Sequence, residues 1–479
     1  STNPSTGTRY ELQLKGAGKT PYSRFADGKA VVRSSIREFV VSEYLNSLRI
    51  PTTRALALTM LPNAQVRRER MEPGAIVCRF AQSWLRIGTF DLMRARGDRK
   101  LIRQLATYTA ESVFGGWENL PAKLDQPPED PPASTVFEIA VERGVSKDTV
   151  QGDGKDAENR FVRLYREIVR RNAKTVAAWQ AYGFMNGVLN TDNTSIFGLS
   201  MDFGPFAFMD NFDPSYTPNH DDHMSRYSYR NQPSIIWWNL VRLGEGLGEL
   251  LGAGAGVDVK EFVEEGVRQD AVDELVERAE NIIEKTGTEY KAVFMAEYRR
   301  LMTSRMGLKT FKVSDFDELF SEFLDLMEAH ELDLNQSFRR LAKIKVSEME
   351  NQEARETAAG KLFRRDGNIA GSKDDARQRV GRWLEKYRAR AVEDWGEGND
   401  AERQAALRAV NPKFVPKGWV LDEVIERVEK KGDREILKGI MKMGLSPFEE
   451  EWGWNKEEEE RFCGDVPKFR QGMQCSCSS

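Results

Sequence analysis

Histidine and cysteine are scarce in this sequence. Three histidines, His220, His223 and His330, are too few for a histidine-built metal centre. Four cysteines, Cys78, Cys463, Cys475 and Cys477, in 479 residues do not make a disulfide scaffold. Long apolar runs are missing too. No stretch approaches the roughly 20 residues that span a bilayer, so no membrane span is expected. Charge of one sign is also lacking. The 71 basic and 75 acidic residues are mixed along the chain and leave a formal net charge of -4, which argues against a nucleic-acid groove. No repeat of fixed period is visible, and no signal or transit peptide stands at the start. The chain opens on Ser1 and enters strand-like sequence by Tyr10, so a segment ahead of it, with any targeting signal, is expected.

What is present is an ordinary globular balance of 40% hydrophobic and 30% charged residues, enough for a large core and two or three folding units. Residues 9–15 alternate polar and apolar side chains, which predicts a half-buried strand. Short strands are expected at Ala30-Val31-Val32 and at 74–80. Between them Ser34 and Ser35 are N-cap candidates for a helix through Arg37, Glu38 and Phe39. From about Arg99 the pattern is helical. A Pro-rich acidic stretch at 121–134 reads as a surface loop, and a long helix is predicted from about Ala157 to Met185. A polar turn and β-hairpin are expected at 190–209, and a mobile Gly-rich connection at 244–256. Helices follow almost throughout, broken near 365–372 and 411–418; the acidic run Glu457–Glu460 reads as a solvated helix face.

Gly16-Ala17-Gly18-Lys19-Thr20 ends like a phosphate-binding P-loop. The glycine required four residues before the Gly-Lys pair is replaced by Gln13, and Pro21 follows where a helix should open, so the P-loop is rejected. Lys15, on the strand itself, is the better phosphate-binding candidate. A kinase-type site holds such a lysine with a glutamate on the next helix, and Glu38 has that place.

The segment Asn186 to Gly204 packs polar residues between apolar stretches. It contains Asn190-Thr191-Asp192-Asn193 and Asp202-Phe203-Gly204. Mg²⁺ takes hard oxygen ligands and only one or two carboxylates. Asn193 and Asp202 lie nine positions apart, and a tight hairpin through Gly198 would bring them to one end. Asp192 would then face an incoming hydroxyl as general base. Arg79 and Arg86 lie seven positions apart, two turns of a helix, where they could share a face and bind phosphates. Without further support, ordinary surface arginines fit that spacing equally well.

These segments together resemble the selenoprotein O family of protein AMPylases. The likeness rests on residues 11–28, 33–39, 79–90 and 190–204. It continues through Asn211–Pro214, Arg226–Tyr229, Asn231–Pro233 and Val410–Val415, and so covers nearly the whole chain. The resemblance implies an α+β, two-lobed protein-kinase-like (pseudokinase) fold with a helical C-terminal extension. Residues 1–98 would form the N-lobe, 99–345 the C-lobe, and 346–479 the extension with its Cys-x-Cys tail. It implies ATP held in a flipped orientation and AMP transferred to Ser, Thr or Tyr hydroxyls of proteins. Carried over by motif, Lys15 contacts phosphate and pairs with Glu38, and Asp27 and Gly28 contact the nucleotide. Arg79 and Arg86 hold phosphates, Asp192 accepts the proton, and Asn193 and Asp202 bind Mg²⁺ or Mn²⁺. Cys477 sits where many eukaryotic members carry selenocysteine. An exposed Cys475-x-Cys477 on a flexible tail suits thiol–disulfide exchange, though inert thiols on a disordered tail fit the same sequence. The family's Gly-Asp-Gly-Arg element has no match before Arg9. Where the family often has His, Asn186 stands here. A mitochondrial monomer acting in redox homeostasis is expected. Asp192 and Asn193 are adjacent, whereas the kinase catalytic loop spaces them by four residues, which favours AMP transfer over phosphorylation. A protein kinase and a catalytically inactive nucleotide-binding or redox-sensing scaffold are the alternatives.

Overall fold

The structure, a computed structural model, describes residues 2–21, 23, 26–124, 126–128, 133, 141–367 and 369–475. It is a mixed α+β fold, mostly helical, with small antiparallel sheets. The first sheet is built on β4 (Met71–Ala81). One edge of β4 pairs with β3 (Arg54–Arg67). Its other edge pairs with β1 (Glu11–Lys15) and, further along, with β2 (Ala30–Val31). The register sets Gln13 opposite Arg79 and Lys15 opposite Val77.

β1 keeps the predicted alternation, but with its faces exchanged. Leu12 and Leu14 point to solvent, 59% and 58% exposed, while Glu11, Gln13 and Lys15 turn inward. The reason is that the inner face of this strand meets charged partners rather than an apolar core.

Helix α1 (Val32–Ser47) crosses behind the sheet. It starts at Val32, ahead of the predicted N-cap serines. The Ser34 hydroxyl instead donates back to the Val31 carbonyl at 3.2 Å. Ile36, Val40, Val41, Tyr44 and Leu45 bury its apolar side completely. The C-terminal helices Gly418–Lys431 and Arg434–Leu445 pack on the same helix. Tyr44 Oη donates to the Phe414 carbonyl (3.0 Å), and Ser47 Oγ to that of Gly444 (2.7 Å). The C-terminal part of the chain therefore buttresses the helix that carries Glu38. Tyr44→Phe would leave the buried Phe414 carbonyl without its donor, and we expect a stability loss of about 1–3 kcal/mol, read as a lower urea midpoint.

Short helices α2 (Ile87–Ala95) and α3 (Arg99–Tyr108) follow the sheet. The buried centre is α4 (Arg160–Tyr182). Asn159 caps its start by accepting from the Phe161 amide at 2.9 Å, and Gly183, at φ 71°, ends it. The helix stops short of the predicted Met185, because Phe184–Met185 forms β5 and pairs with β6 (Ala207–Phe208). No β-hairpin forms between residues 190 and 206. The backbone there bonds to other segments: Ile196 N to Leu85 O, Ser200 N to Pro51 O, and Thr53 N to Ser200 O.

Helix α5 (Gln232–Gly246) runs on into the short helix Gly248–Gly252 and a 3₁₀ segment to Asp258, so the Gly-rich stretch 244–256 is helical rather than a loose connection. The remaining helices break close to the predicted 365–372 and 411–418, but also at 306–312, 330–333, 342–351 and 446–455, where no break was expected. Residues 121–124 and 126–128 have no regular structure. The rest of the Pro-rich stretch, apart from residue 133, lies outside the described residues. No helix among the described residues is long and apolar enough to cross a membrane.

Candidate active site

Three cations and two carboxylates meet where β1, β4, α1 and α2 converge. Lys15 Nζ, at the end of β1, lies 2.7 Å from Glu38 Oε2 and 4.0 Å from Asp202 Oδ1. Arg79 Nη1 lies 2.5 Å from Glu38 Oε1 and 2.9 Å from Asp202 Oδ1. Arg86 Nη2 lies 2.6 Å from Asp202 Oδ2. The formal sum is one positive charge in a largely buried place.

The arginines are not two turns apart on a helix. Arg79 is on strand β4 and Arg86 is the N-cap residue of α2. The chain leaves the sheet between them, and Arg86 is held by a bridge to Ser195. They converge on Asp202 nonetheless.

Sequence reasoning missed two residues that position Arg79. Gln13 Oε1 accepts from Arg79 Nε (2.8 Å) and Nη2 (2.5 Å). The Trp84 ring lies over the guanidinium, 4.5 Å from its carbon, and is fixed by its indole N–H donating to Glu11 O at 3.1 Å. Gln13 could have been found from the inverted alternation of β1, since a polar inner face needs partners.

Burial alone raises the carboxyl pKa of Glu38, but Lys15 and Arg79 outweigh it and hold the value below its ordinary range. For Asp202, burial opposes and Arg79, Lys15 and Arg86 prevail, bringing it from 3.8 to about 2. A carboxyl depressed by folding stabilises the fold above its unfolded pKa and loses that contribution as pH falls through the folded one. Asp202 should thus supply about 2 kcal/mol at neutral pH, fully present above about pH 4 and lost toward pH 2. Acid unfolding of Asp202→Asn should lack that portion of the pH dependence.

Asp202 has φ 54°, a left-handed conformation that costs energy in a non-glycine residue and is held by its surroundings. Phe203 is buried against Phe184 and Phe206, and Arg37 Nη2 ties the Phe206 carbonyl to α1 at 2.7 Å. Asn193 and the residue before Asp202 are each tied to residues just after β5. Asn193 Nδ2 donates to Val188 O (3.0 Å), and Asn186 Nδ2 donates to Met201 O (3.1 Å). Asn186 is thus a buried brace for the residue before Asp202.

Asp192 and Asn193 lie in a 3₁₀ turn, Thr191–Asn193, that sits on the start of α2. Asp192 is exposed. A Cβ added to Gly88 would lie 2.0 Å from Asp192 Oδ1 and 3.2 Å from its Cα. Gly88, unremarked in the sequence reading although it lies in the Arg86–Phe90 motif, is what lets the carboxylate reach the first turn of α2.

Asp27 and Gly28 are not brought into this cluster. The Asp27 carboxylate binds Arg68 (2.9 and 3.1 Å) and the Lys29 amide (2.9 Å), which lower its pKa to about 2. Gly28, at φ 69°, closes against the Gly18 carbonyl.

Cys475 is half-buried and does not hang on a free tail. Its N–H donates to Pro218 O (2.9 Å), and its carbonyl accepts from His220 N (3.1 Å). Tyr216 Oη binds Met473 O at 2.7 Å. The expected flexibility fails for Cys475 because backbone pairing with residues 218–220 fixes it; Cys477 lies outside the described residues. Cys78, Cys463 and Cys475 are free thiols, and burial pushes Cys463 up to about 12.

A family model described as "Protein adenylyltransferase SelO" matches residues 1–444. The mitochondrial protein adenylyltransferase SelO of Schizosaccharomyces pombe is 41% identical over 479 residues, 100% of this chain and 77% of that protein. The protein of the same name from Saccharomyces cerevisiae is 36% identical over 550 residues, 99% of this chain and 79% of its own. The protein nucleotidyltransferase YdiU of Paraburkholderia xenovorans is 35% identical over 475 residues, 99% and 76% of the two chains.

Proposed function

This chain belongs to the SelO family of protein adenylyltransferases, and from that premise we propose that it transfers AMP from ATP to Ser, Thr or Tyr hydroxyls of other proteins. The observation that carries the reading is the convergence of Lys15, Arg79 and Arg86 on Asp202, with Glu38 bracing two of the three.

In this proposal the three cations bind the triphosphate. Arg79 is the pre-set element: Gln13, Glu38 and Trp84 fix its plane before any phosphate arrives, which lowers the entropy cost of binding. Phosphate oxygens compete with Asp202 for Arg86 and Arg79. Asp192 takes the proton of the target hydroxyl, whose oxygen bonds to the α-phosphorus. The bond from that phosphorus to the bridging oxygen breaks, and pyrophosphate leaves with the electron pair. Positive charge held in place stabilises the charge that develops on the phosphoryl oxygens. Asp27 and Gly28 are assigned to nucleotide contact only by family motif.

The donor set fits Mg²⁺. Asp202 is ionised, and Asn193 has its amide nitrogen committed to Val188, which leaves its oxygen as the donor. Bound there, Mg²⁺ or Mn²⁺ would neutralise phosphate charge. We further propose the two-lobed kinase-like arrangement, with boundaries near 98 and 345, a monomer, a mitochondrial setting and a redox role for Cys475 and Cys477. The yeast relatives are mitochondrial by name, and the bacterial one shows that the family is wider.

Incubation with Mg²⁺ and ATP labelled on the α-phosphate should label protein; label arriving from the γ-phosphate instead would establish a kinase and overturn the reading.

A further inference from the structure

A cavity of about 590 Å³ lies apart from this site. None of the cluster residues, from Lys15 to Asp202, lines it. Arg79 on β4 turns toward Asp202, so its neighbour Phe80, which does line the cavity, faces the other way. Among the described residues the lining carries six cations, Arg49, Arg54, Arg143, Arg170, Arg171 and Lys174, against one carboxylate, Glu167.

Arg54, Arg171 and Arg170 are tied to carboxylates. Arg54 is held by Glu43 at 2.7 and 2.9 Å, Arg171 by Glu167 at 2.6 Å, and Arg170 by Glu289. Among the described residues no carboxylate pairs with Arg49 or Arg143; Arg143 reaches only the Asn119 carbonyl. Arg170 is 2% exposed, and among the described residues its Nη1 has no acceptor.

The backbone adds an independent sign. Helix α1 closes with Arg49 N donating to Asn46 O and Ile50 N to Leu45 O, both 2.9 Å, the pair of bonds that ends a helix through one left-handed residue. That residue is Arg49, at φ 61°, in a place where glycine is preferred. An arginine thus stands at a glycine-favouring position on the rim of the cationic cavity.

We propose that this cavity is a second anion site, binding a small phosphate-bearing anion: inorganic pyrophosphate or a nucleoside monophosphate. Guanidinium groups match phosphate oxygens two at a time. The volume is within the range of small-ligand sites, about 300–1,000 Å³, and exceeds what one inorganic phosphate would fill. The proposal stands whether or not the chain transfers AMP.

The test titrates wild type and Arg49→Gly/Arg143→Ala calorimetrically with inorganic pyrophosphate and, in a separate arm, with AMP. Wild type should take up one more equivalent than the variant in one arm, or bind at least tenfold more tightly there, and the arm that responds names the ligand. Glycine suits the left-handed position, so the variant's Tm should be unchanged or higher. Arg143→Ala alone, on an exposed side chain, should weaken binding in the same direction. Equal stoichiometry and affinity in both arms would overturn the proposal.

Discussion

Asp202→Ala should abolish AMP transfer, with a loss of at least about 10³-fold in kcat. Asp202 is the residue on which Lys15, Arg79 and Arg86 all converge, and it is the carboxylate of the proposed metal pair with Asn193. Removing it takes away a metal ligand and leaves the buried Arg79 facing Glu38 with one anion fewer. Breaking a buried pair costs about 3–5 kcal/mol, so a Tm decrease is expected alongside the lost activity. Asp202→Asn separates the two effects. It keeps shape and some hydrogen bonding but not charge, so it should fold more stably than the alanine variant and be as inactive. Turnover by Asp202→Asn within tenfold of wild type would remove Asp202 from the mechanism.

Gly88→Ala should cut kcat by about 10²-fold while leaving the KM for ATP little changed. In the first turn of a helix alanine is ordinarily the better residue, so propensity predicts no loss of stability. The clash is specific: the new Cβ would stand 2.0 Å from Asp192 Oδ1 and 3.2 Å from Asp192 Cα, so the turn as well as the side chain must move. The phosphate clamp does not touch Gly88, which is why KM should hold. Steady-state kinetics on Gly88→Ala beside Asp192→Ala checks this. Near-normal kcat in Gly88→Ala would mean that Asp192 need not sit where the structure holds it.

Lys15, Glu38 and Asp202 were legible in the sequence because each belongs to a short motif with its own chemistry: a strand lysine, a helix glutamate, an Asp-Phe-Gly. Their geometry was less so. The spacing of Arg79 and Arg86 fits a helix, yet one ends a strand and the other caps a helix. The segment 190–206 reads as a hairpin, yet its backbone bonds go to residues 51–53 and 85–87, partners that local sequence does not announce. Likewise the alternation in β1 gave the strand but not its facing, because the inner surface is made polar by Arg79 and Glu38 on other elements. Gly88 gave no signal, since the need for a missing side chain appears only when Asp192 is seen against it. The tail at Cys475 reads as mobile from composition and is fixed by residues 218–220.

In the proposed reaction this cluster directs attack at the α-phosphorus. Mass spectrometry of a protein substrate after incubation with Mg²⁺ and ATP tests it most directly. An adduct on a hydroxyl residue that retains adenosine and one phosphate, absent with Asp202→Asn, is the predicted result. A phosphate adduct without the nucleoside would contradict it.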